Sequence, residues 1–415
     1  MALSPSRRRA LRLTLPAIGA AAALALSACS SGGGSTASSA EPTDFSGVKL
    51  TVWNNIDYDP YQTLQKGYFA TCAKQLGITV DNQTITGDYA SKLLQAASSR
   101  TLPDVALLDS AVEIPQLASE GVLADLGAHG VTTEGQSKAV ASLGTYDGKL
   151  VALPVQVEDY ALFYDKAAFK KAGIDAPPTT FEELVADAKR LTTSTQKGIA
   201  LSGSDDGAAP VYFLPWLLSA GGNAGEPTGA GAVTAVDLYK QLVADGSLSK
   251  EFVNWGWDSP DQWKSGKAAI TVTGPWELVD SSLKVDYGTA PFPTATAGGE
   301  AKVGLLGYGY GVAANKDRTK EAAAAALVQC RASEANQLET AVKGGYIPAL
   351  TSAQASFVQQ VPAAKSFVDA LPTAYNYAAL GTRWNDLQKQ YVSALQYATV
   401  DGDSAKEALE RATQS

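Results

Sequence analysis

Histidine and cysteine are scarce in this 415-residue chain, which has one His and three Cys. The lone His129 stands in a glycine-rich turn with no metal-ligand spacing around it, so neither histidine catalysis nor a metal site has support. Basic residues are also in deficit, because 33 Lys and Arg stand against 42 Asp and Glu. Nucleic acids are bound through Lys and Arg, and this balance therefore argues against a nucleic-acid partner. No cofactor is expected.

The apolar run near the amino terminus, Leu13–Leu26, is too short to span a membrane, which takes about 20 apolar residues. Four arginines between Arg7 and Arg12 precede it, and small residues lead from it into Cys29. Basic residues, a short apolar segment and small residues before a cleavage point are typical of a secretory signal. We predict a signal peptide over residues 1–28.

The residues Leu26-Ser27-Ala28-Cys29 resemble the lipobox of bacterial lipoproteins. That resemblance implies cleavage before Cys29, diacylglyceryl modification of its thiol and anchoring to the outer face of the bacterial cell membrane. The alternative is an ordinary secreted protein with a stray cysteine. Gly and Ser dominate residues 30–40, and such chains are flexible tethers, so we predict a tether over residues 29–43. Loss of residues 1–28, whose only charged side chains are arginines, moves the formal charge from −9 to −13.

Two further cysteines, Cys72 and Cys330, lie far apart in the sequence. Outside the cytoplasm a pair of thiols can persist as a disulfide, and a bridge between these two is one hypothesis. Two buried free thiols are the alternative. The chain is long enough to bury a large core without such support, so thiol titration of the unfolded, unreduced protein is needed to separate the two.

Strand and helix patterns alternate along the chain. Residues 48–53 (VKLTVW) alternate as a strand does, and 105–108 (VALL) form a short buried strand that ends at Asp109. Thr180 and Glu183 have the spacing of a capping box in front of an apolar helical pattern. Alternation of this kind predicts parallel sheets with helices on both faces, and hence an α/β fold.

The stretch Leu150–Tyr164 contains no glycine and would span about 50 Å if extended, much longer than an ordinary strand. The economical interpretation is two shorter strands in two lobes, joined by a hinge at Pro154–Val157, since proline removes a ladder donor. Glu158 then becomes the first residue of a cleft where the lobes meet, which is a common place for a ligand.

Two later passages are also predicted to cross between the lobes. In residues 303–313 (VGLLGYGYGVA) every second residue from Gly307 to Gly311 is glycine, so one face of the strand carries no side chains and Tyr308 stands on the other. Residues 344–348 (GGYIP) combine glycine and proline in a similar way. Together with the first stretch they give three crossings.

Several segments in order resemble extracellular solute-binding proteins of the maltose-binding type, the receptors of ABC importers. Besides the lipobox they are PDVALLD (103–109), LPVQVEDYALFYDK (153–166), PPTTFEELVADAKRL (177–191), SGKAAITVTGPWELVD (265–280) and VGLLGYGYGVAANKD (303–317). The resemblance implies a type II periplasmic-binding-protein-like fold: two discontinuous α/β lobes, a ligand cleft between them and three hinge crossings. The implied amino-terminal lobe is 44–155 plus 304–346, and the carboxyl-terminal lobe is 156–303 plus 347–415. Both later cysteines would belong to the former.

The resemblance also implies a set of ligand-binding residues. Sugars offer hydroxyls to carboxylates and amides, and flat C–H faces to aromatic rings. The candidates are Glu158, Trp276, Tyr212, Trp384, Asp109, Trp53, Asn54, Asp57 and Tyr308. Glu158 matches a ligand-binding acid of the family, whereas at Asp109 the family often has an aromatic. Pro210 stands near where some maltodextrin binders have an acid, which weakens a reading specific to maltose.

Not every aromatic or polar residue in these regions is assigned to the ligand. Trp255, Trp257 and Trp263 are interpreted as packing residues at helix ends, with the alternative that one of them reaches the cleft. The strand-end residues Trp53 and Asn54 are included because ligands of open sheets bind at the carboxyl ends of strands.

These expectations describe a lipid-anchored, extracytoplasmic, monomeric binding protein that captures a carbohydrate, of oligosaccharide size, and delivers it to the permease of an ABC transporter. Neither catalysis nor metal binding is expected. A rival interpretation is a glycoside-processing enzyme with Glu158 and Asp109 as its carboxylate pair. A third keeps the fold but binds a polyamine, a ferric complex or an osmolyte, and a polyamine would require more acids near the cleft.

Overall fold

The computed structural model describes residues 42–205 and 207–414, without the side chain of Thr382. The predicted signal peptide, Cys29 and most of the predicted tether lie outside these residues. Within them, no helix has both the length and the apolar character needed to cross a bilayer.

The strands of the described residues are between two and nine residues long. They are β1 (Lys49–Asn54), β2 (Thr79–Thr84), β3 (Val105–Asp109), β4 (Thr145–Tyr146), β5 (Lys149–Leu150), β6 (Ala152–Glu158), β7 (Ala161–Asp165), β8 (Lys197–Ala200), β9 (Ala268–Thr273), β10 (Tyr287–Ala290), β11 (Gly304–Val312), β12 (Ile347–Pro348) and β13 (Tyr375–Asn376).

Helices connect these strands and cover the sheets. They are α1 (Tyr61–Leu76), α2 (Tyr89–Ser99), α3 (Glu113–Ser119), α4 (Lys138–Ser142), α5 (Lys166–Ala172), α6 (Phe181–Leu191), α7 (Ala208–Ser219), α8 (Ala230–Ala244), α9 (Asp261–Lys264), α10 (Arg318–Arg331), α11 (Glu334–Gly344), α12 (Thr351–Gln360), α13 (Lys365–Val368), α14 (Trp384–Gln396) and α15 (Ala405–Ala412). A short 3₁₀ helix, Pro275–Val279, follows β9.

Two sheets organise the fold. The larger has the order β12-β6-β11-β3-β1-β2, with β13 paired to β11, and it defines the amino-terminal lobe; the smaller, β10-β7-β9-β8, defines the carboxyl-terminal lobe. The pairs β1–β2, β1–β3 and β8–β9 are parallel, while β11 runs antiparallel to both β3 and β6. The expectation of parallel sheets is therefore wrong in part, because strands that return between the lobes enter the sheets antiparallel.

The first passage between the sheets lies later than the sequence predicts. Residues 152–158 form one buried strand, β6, that pairs with β11 along its length. Pro154 is accommodated opposite Gly309, where the register shifts, and bulges of this kind tolerate proline. The predicted hinge at Pro154–Val157 is therefore wrong, and the chain changes sheet at Asp159-Tyr160, between β6 and β7.

The other two passages follow from the same topology. Residues 291–303 lead from β10 in the smaller sheet to β11 in the larger one. After β12, which pairs with β6, the chain reaches α14 and α15, which pack against α7 and α8. The predicted boundaries after 155 and 346 fall inside β6 and before β12, so the larger sheet takes in residues on both sides of each boundary.

Each sheet has its own apolar core. In the carboxyl-terminal lobe every residue of α7 is buried, since its sequence is apolar on all sides and such helices lie in the interior. In the amino-terminal lobe α1 and α10 pack together. A disulfide joins Cys72 of α1 to Cys330 of α10, with 5.9 Å between their Cα atoms.

A substitution at Gly198 tests the packing of α6 on β8. A Cβ atom at this position would lie 2.0 Å from the carbonyl oxygen of Ala188 in α6, so the helix has to move away from the sheet. We expect Gly198→Ala to lower the free energy of unfolding by about 1–3 kcal/mol, measured by urea unfolding. The control is Gly67→Ala, because a Cβ at this exposed site in α1 meets no atom within 4 Å. Equal stability of Gly198→Ala and the wild type would contradict this packing.

Candidate functional site

Three strands of the larger sheet bring three of the candidate residues together. Tyr308 in β11 pairs with Asp109 in β3 on one side and with Gln156 in β6 on the other. Side chains directly opposite each other share a face of the sheet. Glu158 lies two residues beyond Gln156 and therefore points to the same face. The sheet register thus joins an acid from each of two strands to a tyrosine between them.

Glu158 is the most unusual side chain of this group. It is 7 % exposed, and its carboxylate has no hydrogen-bond partner within the described ranges. Burial raises its pKa to about 8, and the charge of Asp109 contributes in the same direction. A buried carboxyl without a partner is costly, and such groups are found at functional sites.

Asp109 and the neighbouring Glu113 are held by the backbone. The Asp109 Oδ1 atom accepts hydrogen bonds from the amides of Ala111 at 2.8 Å and Val112 at 3.0 Å, and Glu113 Oε2 accepts one from the Asp109 amide at 2.6 Å. Burial raises the pKa of Asp109 to about 6 against the effect of these bonds. Burial and the charge of Asp109 raise the pKa of Glu113 to about 8. Both acids therefore stabilise the turn into α3, and the charge of Asp109 also acts on Glu158.

An aromatic group from the carboxyl-terminal lobe adjoins the acids. Tyr160, just past the first passage, has its ring centroid 6.2 Å from that of Trp276 and 5.0 Å from that of Tyr212. Trp257 lies 6.2 Å from Trp276 and 5.6 Å from Tyr212. Trp257 is 47 % exposed, whereas Tyr212 is fully buried. The surface of this group is therefore formed by the tryptophans, and Tyr212 lies behind them.

The turn between α11 and β12 packs directly on Trp276. Gly345 has a φ of +73°, and a Cβ atom there would lie 2.5 Å from the Trp276 Cα atom, so only glycine fits. The next residue, Tyr346, has its ring 6.1 Å from Tyr308. Tyr58 donates a hydrogen bond of 2.7 Å to the carbonyl of Gly344. The ends of the two lobes thus meet around Trp276.

Three other candidates have most of their contacts inside one lobe. Trp384 is 2 % exposed and stacks on Tyr377 with 5.1 Å between centroids. Trp53 packs against an apolar cluster of the amino-terminal lobe. Asn54 donates to Asn82 Oδ1 and to the Gln83 carbonyl, both at 3.2 Å. Their ligand roles, and that of the exposed Asp57, stay predictions.

The site also contains residues that the sequence did not single out as ligand contacts. Asp159 is fully buried, and neither of its carboxylate oxygens accepts a hydrogen bond from another residue in the described part of the chain. Burial and the charge of Glu158 raise its pKa well above the usual value. The Tyr160 hydroxyl is likewise buried without a partner. Trp257 has an exposed ring beside Trp276, in agreement with the alternative that one of the three tryptophans reaches the cleft, whereas Trp263 is buried as a packing residue. The adjacent acids at the end of β6 were the available signal for Asp159.

Metal binding finds no support in this part of the molecule. Within residues 42–205 and 207–414, no group of three or more His, Cys, Asp or Glu side chains is arranged to hold an ion. His129 pairs instead with Glu321 at 2.9 Å.

Two mixed sheets, three passages between them and a polar and aromatic site where they meet are the architecture of a periplasmic solute-binding protein. A family model described as bacterial extracellular solute-binding protein matches residues 67–366. The chain therefore belongs to this family. Membership places the protein outside the cytoplasm and makes it a binding protein of the ABC-transporter type and not an enzyme, which sets the glycoside-processing interpretation aside.

Individual relatives agree with this assignment. The diacetylchitobiose binding protein of Streptomyces coelicolor is 24 % identical over 424 residues, with 95 % of this chain and 96 % of that protein covered. The maltodextrin-binding protein of Bacillus subtilis is 26 % identical over 280 residues, covering 61 % and 62 %. The crystal structure of the cyclic alpha-maltosyl-1,6-maltose binding protein from Arthrobacter globiformis has a TM-score of 0.77 at 24 % identity, covering 89 % of this chain and 97 % of that one.

Proposed function

We propose that this chain is the lipid-anchored binding component of an ABC importer, which captures a carbohydrate of oligosaccharide size and delivers it to the permease subunits. The observation that carries the proposal is the unpartnered Glu158 carboxylate next to the ring group of Tyr160, Trp276 and Trp257. A carboxylate accepts hydrogen bonds from sugar hydroxyls, and aromatic rings cover the C–H faces. Relatives named for diacetylchitobiose and maltodextrin support a sugar ligand.

Capture works through contacts to both lobes. Glu158 ends a strand of the larger sheet, whereas Trp276 follows β9 of the smaller one. A ligand held by both residues stabilises the closed arrangement by the contacts that the open arrangement lacks. The backbone at 159–160 and in the two later passages absorbs the motion, and the closed form is the one that docks on the permease.

The lipid anchor rests on the lipobox. Acylated Cys29 and the Gly/Ser-rich tether hold the lobes at the outer face of the membrane while leaving them free to turn. Cys29→Ser is expected to move the protein from the membrane fraction to the culture medium. An unchanged membrane fraction would remove the anchor from the proposal.

A thermal-shift screen with mono- and oligosaccharides tests the sugar assignment, since a ligand that binds the folded state raises the melting temperature. With the best sugar from the screen, Trp276→Ala should bind at least about tenfold more weakly, or about 1.4 kcal/mol, because a ring face that covers the sugar is gone. Calorimetric titration measures the affinity. Trp276→Phe keeps a ring and is the matched control.

Two outcomes would count against the proposal. If Trp276→Ala melts like the wild type and binds the sugar equally well, the aromatic group is not part of the site. If no saccharide in a broad panel shifts the melting temperature, the protein is not a carbohydrate receptor.

A further inference from the structure

Four carboxyl groups converge where the lobes meet. They come from β3, from the start of α3 and from the end of β6 with the residue after it: Asp109, Glu113, Glu158 and Asp159. The charge of Asp109 acts on Glu113 and on Glu158, and the charge of Glu158 acts on Asp159. A positively charged ligand requires several acids near the cleft, and the sequence alone did not indicate that so many lie there.

Two of the four receive no hydrogen bond from another described residue, and burial raises the pKa of both, which favours their protonated form in the free protein. Asp109 and Glu113 receive backbone hydrogen bonds. Asp159 is fully buried with both oxygens unpartnered, and Glu158 is 7 % exposed with no hydrogen bond to any described residue. Leaving buried carboxylates without donors costs stability, so a donor that arrives with the ligand has a large effect here.

No basic side chain balances the acids. Within the described ranges, none of the four carboxyls is paired with a Lys or an Arg, and none has its pKa lowered by one. Two cations of the described residues are engaged with other partners: Arg331 donates to Gln65 at 2.6 Å, and Lys264 pairs with Glu277 at 2.8 Å. A ligand that carries a positive charge stabilises the ionised form of these carboxyls, for which the described residues provide no cation.

The rings around Glu158 suit a cation as well. Burial raises the pKa of four tyrosine hydroxyls, and the nearby charge of Glu158 raises each of them further; they are Tyr58, Tyr160, Tyr308 and Tyr346. Aromatic faces attract ammonium groups, and cages of such rings bind them. An ammonium offers three donors and a full charge, whereas a hydroxyl offers one donor and no charge.

We infer that the ligand carries a protonated amine beside Glu158 and is an amino sugar with a free amine, not a neutral or N-acylated saccharide. The inference rests on the proposed function, since Trp276 and Trp257 supply the ring faces that a sugar uses. A linear polyamine has the charge but no flat C–H face for these rings.

The test compares three disaccharides that share the β-1,4-linked glucose skeleton and differ at carbon 2. They are chitobiose with free amines, diacetylchitobiose with acylated amines and cellobiose with hydroxyls, together with the monosaccharides glucosamine, N-acetylglucosamine and glucose. Calorimetric titration of the full lipid-free protein at pH 7 measures each affinity. We expect the free-amine sugars to bind at least about tenfold more tightly than both matched forms.

Variants separate the amine contact from general sugar binding. Glu158→Gln keeps the shape and removes the charge, so the preference for free amine should fall below about threefold, with a smaller effect on neutral sugars. Asp159→Asn should also reduce the preference for the free amine. It provides the test if Glu158→Gln does not fold. A preference that survives both substitutions would overturn the inference.

The remaining outcomes distinguish the two proposals. Neutral or N-acylated sugars that bind as tightly as the amines would overturn the inference and leave the proposed function standing. Choline or spermidine binding in the absence of any saccharide binding would overturn both, because the ammonium would then come from a non-sugar solute. No binding by any of these probes would overturn the inference, and the broad saccharide panel then decides the proposed function.

Discussion

The free protein should lose stability as the pH rises from about 5 to about 9, and Glu158 should account for a large share of the loss. Its pKa is raised from 4.5 to about 8 in the folded protein. Its contribution to stability is therefore complete below about pH 4.5, where it is protonated in both states. That contribution is lost as the pH rises to about 8. The carboxyl ionises freely in the unfolded chain, whereas the folded protein must keep the proton to avoid a buried charge.

The size of the effect follows from the shift. At about 1.4 kcal/mol for each pKa unit, Glu158 alone removes on the order of 4 kcal/mol between the two ends of this range. Denaturant unfolding at pH 5, 7 and 9 measures it. Glu158→Gln should flatten the profile and be more stable than the wild type at pH 9. Glu120→Gln, which removes an exposed carboxyl, is the control for the loss of one charge.

A wild-type profile with the same slope as that of Glu158→Gln would contradict the prediction, since the carboxyl would then ionise at its ordinary pKa. Glu113, with its pKa raised to about 8, contributes in the same direction, so part of the slope should persist in the variant. The comparison between the two proteins, and not the absolute slope, isolates Glu158.

The fold class could be predicted because its signals are local. The alternation of strands and helices, the buried run of β3 and the capping box at Thr180 each involve a few neighbouring residues. The structure has the box, in which Thr180 and Glu183 satisfy each other's backbone amides. The position of the first passage could not be predicted in the same way. What keeps Pro154 inside β6 is Gly309 opposite it, a partner more than 150 residues away in the sequence.

Some residues of the candidate site could likewise be predicted from the local sequence, and others could not. Glu158 and Trp276 stand out locally, one as an acid at the end of an apolar strand and the other as a large ring after Gly-Pro. Gly345 caps the end of α11, and its positive-φ turn packs on Trp276. Tyr346 reaches the site only because of this turn. The environment of Glu158 depends on such distant pairings, and a local pattern does not contain them.

Removing the disulfide between Cys72 and Cys330 should also have a large effect on the free energy of unfolding. The bridge closes a loop over 258 positions, and cross-links that close long loops restrict the unfolded chain most. We expect Cys72→Ala with Cys330→Ala to lower the free energy of unfolding by about 2–5 kcal/mol, measured by urea unfolding. A reducing agent should cause a similar loss in the wild type and none in the double variant.

The location of the bridge makes this result specific. It ties α1 to α10, and Cys72 lies about three turns along α1 from Tyr61, whose hydroxyl donates to Gln156 at 2.9 Å near the site. Ligand affinity of the folded double variant should therefore stay close to that of the wild type. If reduction changes neither the stability nor the number of thiols titrated in the denatured protein, the two cysteines are free, and the coupling of α1 to α10 rests on apolar packing alone.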